Sequence, residues 1–301
     1  MRRPCLLPPA LVLVLVAVAA ASLVPRSLGA QGRERTLFVS ALDEDGEPVE
    51  GLGPDAFIVR EDGRRREVLR VSRATEPIDI ALLVDNSTAA TEEITFIRDA
   101  LSTFVARMAP NNRIAIVALA DRPTVFVEYT SDPERLAGGI GRLFGMPQSG
   151  MTLLDGLTET AQGLERRETP RAAIVPVITD GVEFTNHYAT DVTARLERAG
   201  AALHLVTIGQ FPHSEEHSLR ERSLLLDLAP RATGGQRISL LAPHALTGAL
   251  QRLAGELSSQ YKVVYGRPDS LYGPDELEIA SAREGVTMRG TPARGDAGAT
   301  P

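Results

Sequence analysis

Two patterns of apolar residues divide this chain. In its centre, short unbroken runs such as Ile80-Ala-Leu-Leu-Val84 and Ala172-Ala-Ile-Val-Pro-Val-Ile178 alternate with segments whose apolar residues recur every three or four positions. Unbroken runs of this length read as strands buried on both faces. The recurrent spacing reads as helices with one apolar face: in 91–108, Ile94, Ile97, Leu101, Phe104 and Val105 share a side. Strands are predicted over 78–84, 113–119, 124–129, 172–179, 202–208 and 237–241. Helices are predicted over 91–108, 133–143, 153–167, 189–199, 218–228 and 243–259. Strand and helix in alternation predict an α/β domain whose parallel sheet is covered on both faces. Outside this centre the runs shorten and alternate. Strands are expected over 36–40, 56–60 and 67–71, with turns at Asp43-Glu-Asp-Gly46 and Glu61-Asp-Gly63, and again over 261–265, 276–280 and 286–289. The two ends are expected to meet in one small β-domain beside the α/β domain.

The first thirty residues have a different character. Arg2 and Arg3 precede an apolar run from Ala10 to Val24, broken only by Ser22, and small residues follow at Gly29-Ala30. A charged start, a short apolar centre and small residues describe a secretory signal. Cleavage is expected after Ala30, although Leu28 suits that site poorly. An uncleaved N-terminal anchor is the rival, and the run is short for a span of ~20 residues. Cys5 is the only cysteine, so the mature chain would have no disulfide and no thiol nucleophile. Removing the leader changes 32 basic and 39 acidic residues to 29 and 39, a net charge of −10. An acidic chain without a basic cluster is a poor nucleic-acid binder. The expected organisation is a signal over 1–30, β-segments over 35–75 and 261–290 flanking an α/β domain over 77–260, and a disordered Gly/Ala/Pro-rich tail over 291–301.

Two of the apolar runs end on a carboxylate. Asp85 closes the first and is followed by Asn86 and Ser87; Asp180-Gly181 closes the run through Thr179. In open α/β sheets ligands bind beyond the carboxyl ends of the strands, where the winding reverses. Two aspartates and a serine there point to a site for a hard, oxygen-seeking cation. Neither strand is followed by a Gly-rich phosphate turn, which argues against a nucleotide.

Asp85, Ser87 and Asp180-Gly181 resemble a von Willebrand factor type A domain, most closely the bacterial exported kind set between short flanking strands. The resemblance covers roughly 77–260 and extends to the flanks Phe57-Ile-Val-Arg-Glu-Asp-Gly63 and Gln260-Tyr-Lys-Val-Val-Tyr-Gly266. It implies a doubly wound, mostly parallel sheet and a metal-ion-dependent adhesion site (MIDAS). That site is built from an Asp-x-Ser-x-Ser turn, a threonine from a second loop and an aspartate from a third. Asp85, Ser87 and Asp180 match; Ala89 replaces the last serine. In Ser149-Gly-Met-Thr-Leu-Leu-Asp155, Met151 takes the threonine's place and Thr152 comes one residue late. The resemblance therefore implies a weakly held Mg2+ at Asp85, Ser87, Thr152 and Asp180, completed by a carboxylate from a protein partner. It implies a non-enzymatic adhesion or interaction role in the bacterial envelope or outside the cell. Without such a role, Ser87 or Thr88 would cap the following helix and Asp180 would stabilise its own turn.

Two further classes compete. His213-Ser-Glu-Glu216-His217 matches the H-x-x-E-H pattern of a zinc peptidase, but it falls at a loop-to-helix junction where Glu215 and Glu216 suit an ordinary helix start. A hydrolase centred on Asp85 would be expected to carry a second acid two residues on, where Ser87 stands. A purely structural envelope module is the third class. His187, His204 and His244 read as surface or satisfied core histidines, and Arg64-Arg-Arg66 as a solvated hairpin.

Overall fold

The computed structural model describes residues 33–293 apart from 168, 212–213, 269–273 and 275. The signal segment 1–30, most of the tail and His213 lie outside the described residues. The chain forms β1 (Arg33–Leu42), β2 (Phe57–Glu61), β3 (Arg64–Arg66), β4 (Val68–Arg73), β5 (Asp79–Val84), α1 (Ile94–Met108), β6 (Arg113–Ala118), β7 (Thr124–Thr130), α2 (Pro133–Gly141) and α3 (Leu153–Arg167). It continues through β8 (Ala172–Thr179), α4 (Ala189–Ala199), β9 (Ala201–Ile208), α5 (His217–Ala232), β10 (Gln236–Leu240), α6 (Leu246–Ser258), β11 (Tyr261–Arg267), β12 (Leu277–Ser281) and β13 (Thr287–Pro292).

The central sheet has the order β10-β9-β8-β5-β6-β7. It is parallel except for the edge strand β7, which runs antiparallel to β6. Successive side chains of a strand point to opposite faces. Ile80, Leu82 and Val84 therefore pack with α1 and α6 on one side, while Ala81 and Leu83 pack with α3, α4 and α5 on the other. Both sides need apolar residues, which is why β5 reads as an unbroken run. The strand order places β5 between the two directions of winding: β6 and β7 build outward on one side, and β8, β9 and β10 on the other. The carboxyl ends of β5 and β8 thus border the crevice where an open α/β sheet binds its ligands.

The flanking strands form two small antiparallel sheets, β13-β1-β11-β4 and β12-β2-β3. The chain ends meet directly: β1 pairs with β11, with Leu37 opposite Val263, and β2 pairs with β12, with Val59 opposite Ile279. Leu37, Val39, Phe57, Val59, Tyr261 and Val263 fill the space between the sheets. Arg64–Arg66, expected as a solvated hairpin, is a short strand paired antiparallel with β2, with Arg64 and Arg65 exposed. Thr291 and Pro292, assigned to the tail by composition, pair with Phe38 and Leu37 of β1. Gln260 joins the two parts by donating from Nε2 to the Ser40 hydroxyl at 3.0 Å.

Four helices differ from their predicted limits: α1 begins at Ile94 rather than 91, α2 ends at Gly141 rather than 143, and α5 and α6 also shift. A 3-10 turn at Pro243–Ala245 precedes α6. Helix α5 runs on to Ala232 through Pro230, and its last turn is tied off where the Thr233 hydroxyl donates to the Ala229 carbonyl at 2.7 Å.

Candidate functional site

Strand β5 ends by handing Asp85 to β8. The Asp85 backbone N–H donates to the Val177 carbonyl at 2.9 Å, and the carboxylate, wholly buried, reaches the end of the same neighbour. Its Oδ2 accepts the Thr179 backbone N–H at 3.1 Å and the Thr179 hydroxyl; its Oδ1 accepts the Ser87 N–H at 2.9 Å. Asp180 and Gly181 follow Thr179 at once. A Cβ added to Gly181 would lie 2.6 Å from the Ala89 Cβ and 3.5 Å from Ser87 Oγ, so a residue without a side chain lets these two loops touch. Asp180 reaches sideways, where its Oδ2 accepts the Gln210 N–H at 3.2 Å. Gly209, at φ +97°, leaves room beneath that carboxylate: a Cβ there would fall 2.7 Å from it. Three loops, following β5, β8 and β9, therefore meet at one rim. Asp85, Ser87 and the Asp180-Gly181 turn are brought together.

Thr152 is engaged elsewhere. Its hydroxyl donates to the Leu119 carbonyl at 2.8 Å, which ties the start of α3 to the end of β6. Met151, in the position where the family has threonine, is fully buried and exchanges backbone hydrogen bonds of 2.8 Å with Val182 and Phe184. Below this bridge Glu183 is also fully buried. Its Oε1 accepts the Leu154 N–H at 3.3 Å at the opening of α3, and its Oε2 has no partner among the described residues. Burial pushes the Glu183 carboxyl well above the usual carboxylate range, against the pull of the Leu154 N–H and the Arg222 charge.

The capping alternative is corrected by these contacts. Ser87 occupies the N-cap position of a 3-10 turn but makes no side-chain cap bond, and its buried Oγ has no partner among the described residues. The Thr88 hydroxyl bridges loops instead, donating to the Met146 carbonyl at 3.1 Å and accepting the Ser149 N–H at 3.0 Å. Asp180 braces the loop after β9 rather than its own turn. His204 is not a satisfied core histidine: it is fully buried on β9, and neither ring nitrogen has a partner among the described residues. That burial holds its pKa down at about 4, against the pull of Glu256. In the peptidase-like motif, Glu216 is the N-cap of α5, and the His217 ring packs edge-on against Tyr188 at 5.4 Å.

Sequence reasoning passed over Arg222. It lies on the buried face of α5 with Leu225, Leu226 and Ala229, and only 2% of it is exposed. An arginine at that helical spacing among apolar residues was the available signal. Its guanidinium stacks over the Phe211 ring at 4.9 Å and donates from Nη1 to the Gly181 carbonyl, at the point where the rim loops touch. Burial pulls its pKa down, and the carboxylates of Glu183, Asp180 and Asp85, in that order, push it back up.

The donor set does not fit a tightly held divalent ion. Of the oxygens expected to hold it, both Asp85 oxygens, Asp180 Oδ2 and the Thr152 hydroxyl make bonds within the chain, and the buried Ser87 Oγ has no partner among the described residues. Ala89 contributes no oxygen. Among the described residues no group of three or more His, Cys, Asp or Glu side chains is placed to hold a metal. The loop after β8 exposes two apolar side chains, Val182 (51%) and Phe184 (53%).

Residues 80–183 match the family model of the von Willebrand factor type A domain. No curated protein matches the chain. Among solved structures, proximal thread matrix protein 1 (PTMP1) from the mussel byssus aligns with 66% of this chain at 15% identity and a TM-score of 0.50. This chain spans 50% of that protein's length. Another structure of PTMP1 has a zinc-occupied MIDAS motif. The vWF domain of the type V pili tip protein Mfa5 from Porphyromonas gingivalis aligns over 61% of this chain and 96% of its own, with 12% identity and a TM-score of 0.47. The conserved hypothetical protein BatB from Bacteroides thetaiotaomicron covers 60% of this chain and 100% of its own, with 13% identity and a TM-score of 0.47. The loops that carry Asp85, Ser87 and Asp180 lie inside the matched segment, so this part of the chain is similar to a von Willebrand factor type A domain.

Proposed function

We propose that this chain is an exported, non-enzymatic interaction protein that docks a protein partner on the rim formed by the loops after β5, β8 and β9. The observation that carries this reading is the pair of exposed side chains Val182 and Phe184 on the loop after β8, which touches the loop of the buried Asp85 at the switch point of the sheet. Apolar residues gathered on one rim favour a protein surface as the ligand. Export is supported by the leader-like composition of 1–30. Among the described residues no helix is long and apolar enough to cross a membrane.

Cross-linking to envelope extract, read by mass spectrometry, tests the reading. Cross-links from a captured protein are expected to map to the loops around 144, 182 and 210, and to vanish in a Val182→Asp/Phe184→Asp chain that unfolds at the wild-type temperature. Undiminished capture by that variant would refute the rim as the docking face. A second reading, favoured by the unpartnered Ser87 hydroxyl, is a weak Mg2+ held through water by Asp85, Ser87, Thr152 and Asp180. In that version the partner's carboxylate completes the coordination, and capture requires the ion.

A further inference from the structure

A buried positive charge needs a counter-charge, since an uncompensated ion in a protein interior is strongly disfavoured. Among the described residues Arg222 has no direct ion pair that would meet this need: it donates to a carbonyl, that of Gly181, and its Nε has no partner there. The acids of the rim show the complementary lack. Among the described residues Asp85 accepts from neutral donors only, the Ser87 and Thr179 N–H groups and the Thr179 hydroxyl, and Asp180 accepts from the Gln210 N–H. The guanidinium lies within the field of Asp85, Asp180 and Glu183 together, held by the Phe211 ring on one side and the Gly181 carbonyl on another.

We propose that Arg222 is the resident cation of this rim, its guanidinium supplying the positive charge that the family's adhesion site takes from a divalent ion, so that docking here needs no metal. The proposal rests on the rim being the docking face only for its last clause; the replacement of the ion by a side chain stands on the geometry alone. Three features of this chain agree with it. A divalent ion beside Asp85 and Asp180 would meet the like charge of the guanidinium, which is buried as Asp85 is, so that solvent screens the repulsion little. The residue that would have supplied a further hydroxyl is Ala89, whose methyl group abuts Gly181. Arg222 also anchors the Gly181 carbonyl, so it keeps the third loop in place, which a bound ion would otherwise do. Guanidinium, always charged and able to donate in several directions, suits that role better than lysine.

The test uses the full chain and the metals alone as probes. Wild type is expected to give no saturable heat with Mg2+, Mn2+ or Zn2+, and to unfold at the same temperature in EDTA as in MgCl2 at matched ionic strength. Arg222→Gln is expected to unfold earlier in EDTA and to recover with rising Mg2+ or Mn2+, a recovery lost in Arg222→Gln/Asp85→Asn. A merely structural arginine would give the first loss without the metal response. One-to-one binding in the wild-type chain that Asp85→Asn abolishes would overturn the proposal, as would a folded Arg222→Gln chain indifferent to metal. Should Arg222→Gln fail to fold, Arg222→Met, which keeps the apolar packing of the side chain without its charge, takes its place with the same two outcomes. None of these outcomes depends on a partner, so a failure of the docking reading remains separately visible in the cross-linking.

Discussion

Strand β5 carries an aspartate at each end of its apolar run, and both are fully buried. At the amino end, Asp79 is enclosed by two guanidinium groups: Oδ1 takes Arg113 Nε at 2.6 Å and Oδ2 takes Arg167 Nε at 2.8 Å. Arg167 in turn lies over the Tyr129 ring at 4.3 Å. At the carboxyl end, Asp85 has only backbone and hydroxyl donors, and its nearest guanidinium acts through space. The same residue type on the same strand therefore serves two ends. Asp79 closes the bottom of the sheet with its charge balanced on contact, and little is left there to recruit a ligand. Asp85 ties the start of the loop after β5 to the end of β8, and the loop that follows exposes Val182 and Phe184. A carboxylate satisfied at once by arginine marks architecture, and one satisfied by the loops it organises marks a candidate site.

Substitution at the two ends should separate them. Asp79→Ala leaves Arg113 and Arg167 facing one another, and should cost about 3 kcal/mol; partial exposure of both arginines keeps the loss at the lower end of that for breaking a buried pair. Urea denaturation measures it, and cross-linking at the rim should be unchanged in the folded chain. Asp85→Asn turns an acceptor into a donor against Thr179 and should cost about 1–2 kcal/mol in the same assay. If Asp85→Asn proved the more damaging of the two, the contrast between the ends would fail.

Glu183 sharpens the comparison through pH. Its folded-state pKa is raised above 4.5, so the folded chain keeps this proton after the unfolded chain has released it. Stability therefore falls as pH rises from about 4.5 through the folded value. Glu183→Gln lacks that loss, and its urea midpoint relative to wild type should improve between about pH 4 and pH 7. A gap that does not change with pH would mean the carboxyl is ionised in the folded chain. The smallest effect is expected for Ser87→Ala. Its hydroxyl is buried without a partner among the described residues, so stability should change by no more than about 0.5 kcal/mol in either direction. A larger loss would reveal a bond from Ser87 Oγ, and with it a ligand or water at the rim.

Much of the fold was legible along the chain because its two packing environments write different patterns. β5 and β8, covered on both faces, had to be apolar throughout; α1, covered on one, had to repeat at helical spacing. Helices α3 and α4 kept the predicted limits. The edge of the tail was not legible, since the strand at Thr291 and Pro292 is decided by pairing with β1, more than two hundred residues away in sequence. Within the site, strand ends pointed to Asp85, Ser87 and Asp180. The direction of the Thr152 hydroxyl was not legible, because a residue type and an approximate spacing do not say which way it turns; it donates to the Leu119 carbonyl.

Local pattern alone thus determined which segments are strands and helices, the parallel character of the central sheet and the strand ends where acids would emerge, because burial on one face or two constrains every residue in turn. Only the tertiary structure decided that the chain's two ends share a β-domain, that Gly181 lets two loops touch, and that the charge beneath them is Arg222. Those outcomes depend on segments far apart in sequence approaching within a few ångströms, and no local periodicity encodes that approach.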